Sequence, residues 1–166
     1  MEPWQRLDAA PPDEARQLLF MCCGSSRWVE LMLARRPFGS MARLLHAAED
    51  AWRVVSPDDW KASFSHHPRI GDRGFGERFA ETRHLSQAEQ AGVSGASAEI
   101  IDALADANNA YEARFGYVFI VCATGRGAAE MLSMLRARLR NDPATEIQVA
   151  AGEQAKITAL RLKAIQ

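Results

Sequence analysis

Hydrophobic residues recur along most of the chain at the 3.6-residue spacing of an α-helix, and prolines and glycines separate the stretches. The pattern predicts helices that begin at Pro11-Pro12-Asp13, near Trp28, ahead of Leu44, at Ser56-Pro57-Asp58, around Glu77, at about Ala96, near Met131 and ahead of Ile157. We therefore predict an all-α fold, a single-domain bundle of roughly eight helices that spans residues 1–166.

The segment Tyr117–Cys122 departs from this pattern. Its sequence, YVFIVC, has the aromatic and β-branched composition of a strand. The chain offers no partner for it, and a lone strand is not stable. We predict that the segment is either the buried end of a helix or an extended connector.

A gap in the helical pattern at residues 67–76 is the part of the chain that says most about function. Its sequence, HPRIGDRGFG, holds three glycines and one proline, which rule out regular structure. Pro68 ends the preceding helix at His67, where the negative end of the helix dipole favours a protonated imidazole. His67 is therefore either a general acid or cationic clamp, or a surface histidine that caps the helix. His66 lies about 100° around the helix from it, so the two are not expected to act together.

The segment Ser86-Gln87-Ala88-Glu89 has the pattern of a capping box, in which Ser86 caps a helix and Glu89 lies three residues further on. This interpretation accounts for both residues. A catalytic role for Glu89 has to compete with it.

Arg161 lies on the predicted apolar face of the last helix, together with Ile157, Leu160 and Ala164. A buried guanidinium needs an anion from the protein or from a ligand, whereas a partly exposed one extends its apolar stem toward solvent. Both interpretations of Arg161 stay open. Asn108, on another predicted helix, is expected to be a buried amide with satisfied hydrogen bonds.

Composition narrows the classes of function. The 20 lysines and arginines and the 21 acidic residues give a net charge of -1, which argues against non-specific nucleic-acid binding. No apolar stretch is long enough to cross a membrane, and the N-terminal sequence lacks a signal-peptide pattern. Cys22, Cys23 and Cys122 form no disulfide framework, and no histidines or cysteines have metal-ligand spacing. We therefore expect a cytoplasmic protein with no metal, no nucleic-acid partner and no membrane partner.

Four segments, taken in order, resemble one protein family. They are HPRIGDR at residues 67–73, SQAEQAGV at 86–93, NNAYEARFGYVFIVCATG at 108–125 and EQAKITALRL at 153–162. From about Leu18 to Leu162 the chain is similar to the decarboxylases of 2-oxo-4-hydroxy-4-carboxy-5-ureidoimidazoline (OHCU), which act in urate degradation. The resemblance implies an all-α carboxy-lyase that uses no metal or organic cofactor, is usually a homodimer and forms (S)-allantoin.

The resemblance also implies a set of site residues. His67 falls on the catalytic histidine of the family, and Glu89 and Arg161 are expected to act with it. The implied substrate-binding residues are Pro68, Ser86, Gln87, Ala88, Glu89, Gln90, Phe119, Ile120, Val121, Cys122 and Ala123, the last five largely through their backbone.

The structure of the substrate explains why no cofactor is expected. One ring carbon carries a carboxylate and a hydroxyl next to a C=N bond, so the electrons released with CO₂ flow toward the nitrogen. Two alternatives stay open. One is a sister decarboxylase that acts on a different ring, and the other is a non-catalytic module that binds a ureide or serves as a scaffold.

Overall fold

The computed structural model describes residues 1–72 and 83–166. Nine α-helices lie within these ranges: α1 Pro3–Ala9, α2 Pro12–Cys23, α3 Ser26–Leu33, α4 Met41–Val54, α5 Pro57–Phe64, α6 Arg83–Glu89, α7 Ala98–Phe115, α8 Ala128–Arg138 and α9 Pro143–Lys163. A turn of 3₁₀ helix follows α6 at Ala91–Val93, and the described ranges contain no β-strand. The all-α prediction is confirmed. The helix start predicted around Glu77 lies outside the described residues.

Several helix ends follow from local chemistry. Ser56 Oγ accepts a hydrogen bond from Asp59 N at 3.2 Å, so the serine caps α5 as its Ser-Pro-Asp sequence predicts. α2 and α7 end at Gly24 and Gly116, whose φ angles of 78° and 81° are easy for glycine and stop the helix.

Two helices differ from the prediction. The hydrophobic pattern does not predict α1, because this short helix buries only Pro3 and Leu7. The pattern places Ile157 and Ala164 in the last helix without fixing its start, and the structure extends that helix back to Pro143. Asp142 Oδ1 accepts a hydrogen bond from Thr145 N at 2.9 Å, so the proline that ends one helical stretch also opens the next.

The chain divides into two compact units. The first comprises Met1–Ser63 and Gln154–Gln166, and the second comprises Phe64–Glu153. Each unit has a core of its own. In the first unit the fully buried side chains include Leu7, Leu19, Trp28, Met32 and Leu44. In the second they include Leu104, Tyr111, Phe119, Met131 and Leu135.

The single domain predicted over residues 1–166 stays a prediction. Of the described helices, none combines the length and the hydropathy that crossing a membrane requires.

Cys23 is a buried thiol of the first unit. Its Sγ lies 3.8 Å from Ser63 Oγ. Burial raises the pKa of Cys23 to about 11, although the hydrogen bond from Ser63 and the charge of Arg161 both act to lower it. The thiol therefore keeps its proton in the folded chain at a pH where an unfolded cysteine has lost it.

This pKa shift predicts a loss of stability at alkaline pH. Ionisation of Cys23 does not change the free energy of unfolding below its unfolded pKa of 9.0, and it lowers that energy by about 2–3 kcal/mol as the pH rises toward 11. Denaturant unfolding curves at about pH 8 and about pH 10.5 measure the loss. Cys23→Ala should lose less stability than the wild type between these two conditions. An equal loss in both proteins would show that other groups cause it.

Candidate active site

His67 lies in the second unit, in the turn that follows α5. The helix ends at Phe64, three residues before the predicted end, and His67 N donates a hydrogen bond to Phe64 O at 3.1 Å. The His67 side chain is only 8% exposed and Pro68 is buried, whereas His66 is exposed. The interpretation of His67 as a surface helix cap is therefore wrong. A buried histidine in a loop is the arrangement expected of a functional group.

The loop that follows this histidine is held by side chains from the end of α6 and from α7. Gln90 Oε1 accepts a hydrogen bond from Gly71 N at 3.0 Å, and its Nε2 donates to Arg69 O at 3.4 Å. Asn108 Nδ2 donates to Ile70 O at 3.0 Å. Three consecutive loop residues are thus fixed through their backbone, so α6 and α7 set the position of the loop.

Two further contacts join the same loop to α7. Arg69 Nη1 donates to Asn109 Oδ1 at 3.0 Å, and the Arg69 guanidinium pairs with the Glu112 carboxylate. Asn108 is buried, as predicted, but only its Nδ2 is satisfied, because its Oδ1 has no hydrogen-bond partner among the described residues. The prediction for Asn108 is therefore right for burial and for one of its two polar atoms.

Ser86 and Glu89 lie on α6, but they do not form the predicted capping box. Ser86 is in the middle of the helix, which already includes Arg83, and Glu89 is its last residue. The prediction is wrong because the same serine-to-glutamate spacing also fits an internal turn of a helix. Ser86 is 1% exposed, and its Oγ has no partner within the part of the chain that the structure describes. A buried hydroxyl without a partner there is available to form a hydrogen bond with a ligand.

The other residues of this segment differ in exposure. Gln87 and Ala88 are exposed, whereas Glu89 and Gln90 are half-buried. The bonds from Gln90 to the loop bring the end of α6 next to the loop that carries His67. The structure thereby joins two of the segments that the sequence singled out.

The segment Tyr117–Cys122 is a connector between α7 and α8 that belongs to neither helix. The segment is therefore a connector and not the buried end of a helix. Its later part and the residue that follows, Phe119–Ala123, are called the connector below. The connector is largely buried: Phe119, Ile120, Val121 and Ala123 are buried, and Cys122 is half-buried. Side chains bond its backbone: Arg138 Nη1 donates to Ile120 O, Arg126 Nε donates to Cys122 O at 3.1 Å, and Glu153 Oε2 accepts from Cys122 N at 3.1 Å.

Arg138 is part of a buried polar cluster that the sequence analysis missed. Its Nε donates to Glu146 Oε1 at 2.7 Å, and its guanidinium lies 4.5 Å from the centroid of the Phe119 ring. Tyr111 OH also donates to Glu146, at 2.5 Å, and burial followed by this hydrogen bond raises the pKa of the tyrosine. One signal was available, because Glu146 and Glu153 are seven residues apart and so share a face of α9.

Arg161 lies on the part of α9 that belongs to the first unit. It is 5% exposed, and its Nη1 donates to Met21 O at 3.2 Å, so the guanidinium is buried and does not extend into solvent. The predicted apolar face is wrong in part, since Leu160 is 41% exposed and Ala164 is exposed, while Ile157 is buried. α9 buries polar and apolar side chains together, so an apolar stripe does not mark its inner face.

Arg73, part of the HPRIGDR segment, lies outside the described residues. Over residues 1–72 and 83–166, the structure has no group of three or more His, Cys, Asp or Glu side chains that could hold a metal ion. A reaction without metal or cofactor stays a prediction.

Comparison with known proteins places these segments in a wider context. Residues 8–163 match the family model described as OHCU decarboxylase. The chain is 38% identical over 144 residues to the uric acid degradation bifunctional protein TTL of Arabidopsis thaliana, which covers 86% of this chain and 44% of that protein. It is 26% identical over 129 residues to the 2-oxo-4-hydroxy-4-carboxy-5-ureidoimidazoline decarboxylase of Xenopus laevis, with 78% of this chain and 74% of that protein covered.

A solved relative supports the same grouping. A crystal structure of OHCU decarboxylase in the presence of (S)-allantoin matches this chain with a TM-score of 0.75 at 34% identity, over 92% of this chain and 96% of that one. The chain spans less than half of the Arabidopsis bifunctional protein. The family match nevertheless includes almost every residue from the end of α1 to the end of α9. This chain belongs to the OHCU decarboxylase family.

Proposed function

We propose that this chain decarboxylates OHCU to (S)-allantoin in urate degradation. The observation that carries the proposal is the match to an OHCU decarboxylase solved in the presence of (S)-allantoin, at 34% identity over 92% of this chain. The second unit supports the proposal, because this unit combines a buried histidine, a loop held by hydrogen bonds to Gln90, and a buried serine hydroxyl. The comparisons do not favour a ureide-binding module or a scaffold.

The reaction needs little from the protein beyond orientation and one proton. The bond between the ring carbon and the carboxylate carbon breaks, and its electron pair forms a C=C bond while the C=N pair moves to nitrogen. One proton adds to one face of the former C=N carbon, and the hydroxyl becomes a carbonyl as its proton leaves for the nitrogen. Holding the carboxylate out of the ring plane and protonating one face are tasks for placed side chains.

The second unit offers a group for each task. We assign proton transfer to His67, with the Glu89 carboxylate holding it in its protonated form. Ser86 Oγ is a buried polar atom without a partner among the described residues, so we assign it a hydrogen bond to the ring. The buried connector Phe119–Ala123 supplies backbone contacts. The role that the resemblance gives Arg161, to bind or orient the substrate, stays a prediction.

The proposal predicts activity that does not depend on a metal. After dialysis against a strong chelator, the purified chain should consume freshly made OHCU at its original rate, because the C=N bond of the substrate accepts the electrons. Loss of absorbance of the substrate measures the rate. A loss of activity that zinc or manganese restores would contradict the prediction. A panel of related ureido rings separates OHCU from the substrate of a sister enzyme.

We also propose that the chain acts as a homodimer in the cytoplasm, as the family resemblance implies. Light scattering on the purified protein should give twice the 18.3 kDa mass of one chain. A mass equal to one chain would contradict the homodimer.

A further inference from the structure

Side chains, and not a neighbouring strand, form hydrogen bonds with the backbone of the connector Phe119–Ala123. A buried extended segment normally satisfies its backbone through a neighbouring strand. The described ranges contain no strand, and here side chains take its place. Ile120 O and both peptide groups of Cys122 are bonded to arginine and glutamate side chains.

Of these three hydrogen bonds, only the one to Glu153 has a backbone N–H group of the connector as its donor. Glu153 Oε2 accepts from Cys122 N at 3.1 Å, and the glutamate is only 7% exposed. The bond satisfies a backbone N–H group for which the described ranges offer no strand as partner. Glu153 lies within α9, a helix of 21 residues.

A second side chain that bonds the backbone of the connector, Arg138, lies on α8. Arg138 donates to Ile120 O and is itself fixed by the buried carboxylate of Glu146, which Tyr111 OH also contacts. The Arg138 side chain has little freedom, so the Ile120 carbonyl has little freedom too. The backbone is thus fixed at two residues that flank Val121.

We propose that Glu153 is a positioning residue, whose carboxylate fixes the Cys122 peptide and so sets the backbone of Phe119–Ala123 for contact with the substrate ring. Arg138 holds the neighbouring Ile120 carbonyl in the same way. This inference rests on the proposed function, because it needs a substrate that contacts the connector. Glu153 acts through the backbone and not on the reacting atoms.

Two substitutions separate the reach of this side chain from its charge. Glu153→Gln keeps an oxygen acceptor at the same distance and loses the charge, whereas Glu153→Asp keeps the charge and is one methylene too short. We expect Glu153→Gln to keep KM for OHCU within about threefold of the wild type. We expect Glu153→Asp to raise KM at least about tenfold with a smaller change in kcat, because the connector binds the ring before and during the reaction. Gln148→Ala, at an exposed position of α9, serves as the control.

A second measurement follows the Cys122 peptide directly. The chain has three cysteines, so protein labelled with ¹⁵N-cysteine gives three backbone amide signals. The Cys122 amide should exchange with solvent slowly in the wild type and in Glu153→Gln, and at least about tenfold faster in Glu153→Asp. This readout does not depend on activity. A melting curve confirms that each variant is folded.

The outcomes are distinct. A raised KM and fast Cys122 exchange in Glu153→Asp, together with near-normal values in Glu153→Gln, support the inference. A greater loss in Glu153→Gln than in Glu153→Asp would show that the charge matters, and equal behaviour of the two variants would also overturn the inference. A wild-type chain that does not consume OHCU overturns the proposed function. An active wild type with a normal KM in Glu153→Asp overturns the positioning role alone.

Discussion

Replacing His67 with asparagine should lower kcat for OHCU at least about 100-fold, since general acid–base transfer by a placed side chain is worth about 10²–10⁴-fold. The histidine is buried in the turn after α5, and asparagine keeps a polar group there but cannot transfer a proton near neutral pH. The variant should remain folded. Steady-state rates and a far-UV circular dichroism melting curve on the same preparation measure both properties.

His66 provides the matched control for this prediction. It is the same residue type, one position earlier in the same turn, but it is exposed. His66→Asn should change kcat by less than about threefold, since exposed substitutions away from a site have small effects. If His66→Asn is the more damaging change, the catalytic role belongs to the neighbouring histidine.

Replacing Glu89 with glutamine should lower the rate at least about tenfold and leave the free energy of unfolding within about 1 kcal/mol. Glu89 is half-buried and is the last residue of α6, so it does not cap the start of that helix, and glutamine keeps its size and its polar end there. In the proposed site its negative charge stabilises the protonated form of His67. Loss of the charge should therefore also move the pH–rate profile to lower pH.

A melting curve and a pH–rate profile of Glu89→Gln decide between the roles of this residue. Preserved stability with a lost rate supports the catalytic role. A normal rate in a stable protein, or a melting temperature that falls in step with the rate, would contradict it. His84→Gln, at an exposed position of the same helix, is the control and should leave both quantities unchanged.

The sequence predicted most helices because their ends have local causes. The Ser-Pro-Asp start of α5 and the glycine after α2 act within a few residues, so spacing alone reveals them. The start of α9 was missed because Pro143 both ends one stretch and opens the next. The place of Ser86 was misjudged for a related reason, since its spacing to Glu89 fits a helix interior as well as a helix start.

The candidate site was only partly predictable from the sequence. The loop of His67 was visible because proline and glycine interrupt a helical pattern. The supports of the site were not visible, because they join distant parts of the chain. Gln90 reaches back 19 residues to Gly71, and Glu153 reaches back 31 residues to Cys122. Such pairs are set by packing and leave no periodic signal.

The proposed function requires that this chain control the stereochemistry of OHCU decarboxylation. Freshly made OHCU is converted in two parallel reactions, one without the chain and one with it. The circular dichroism of each reaction then measures the optical activity of the allantoin formed. Uncatalysed decay protonates both faces of the ring and gives no lasting signal. With the chain present, we expect allantoin to form faster and to give the signal of the (S) enantiomer alone. Racemic allantoin formed at the uncatalysed rate would show that the chain does not decarboxylate OHCU.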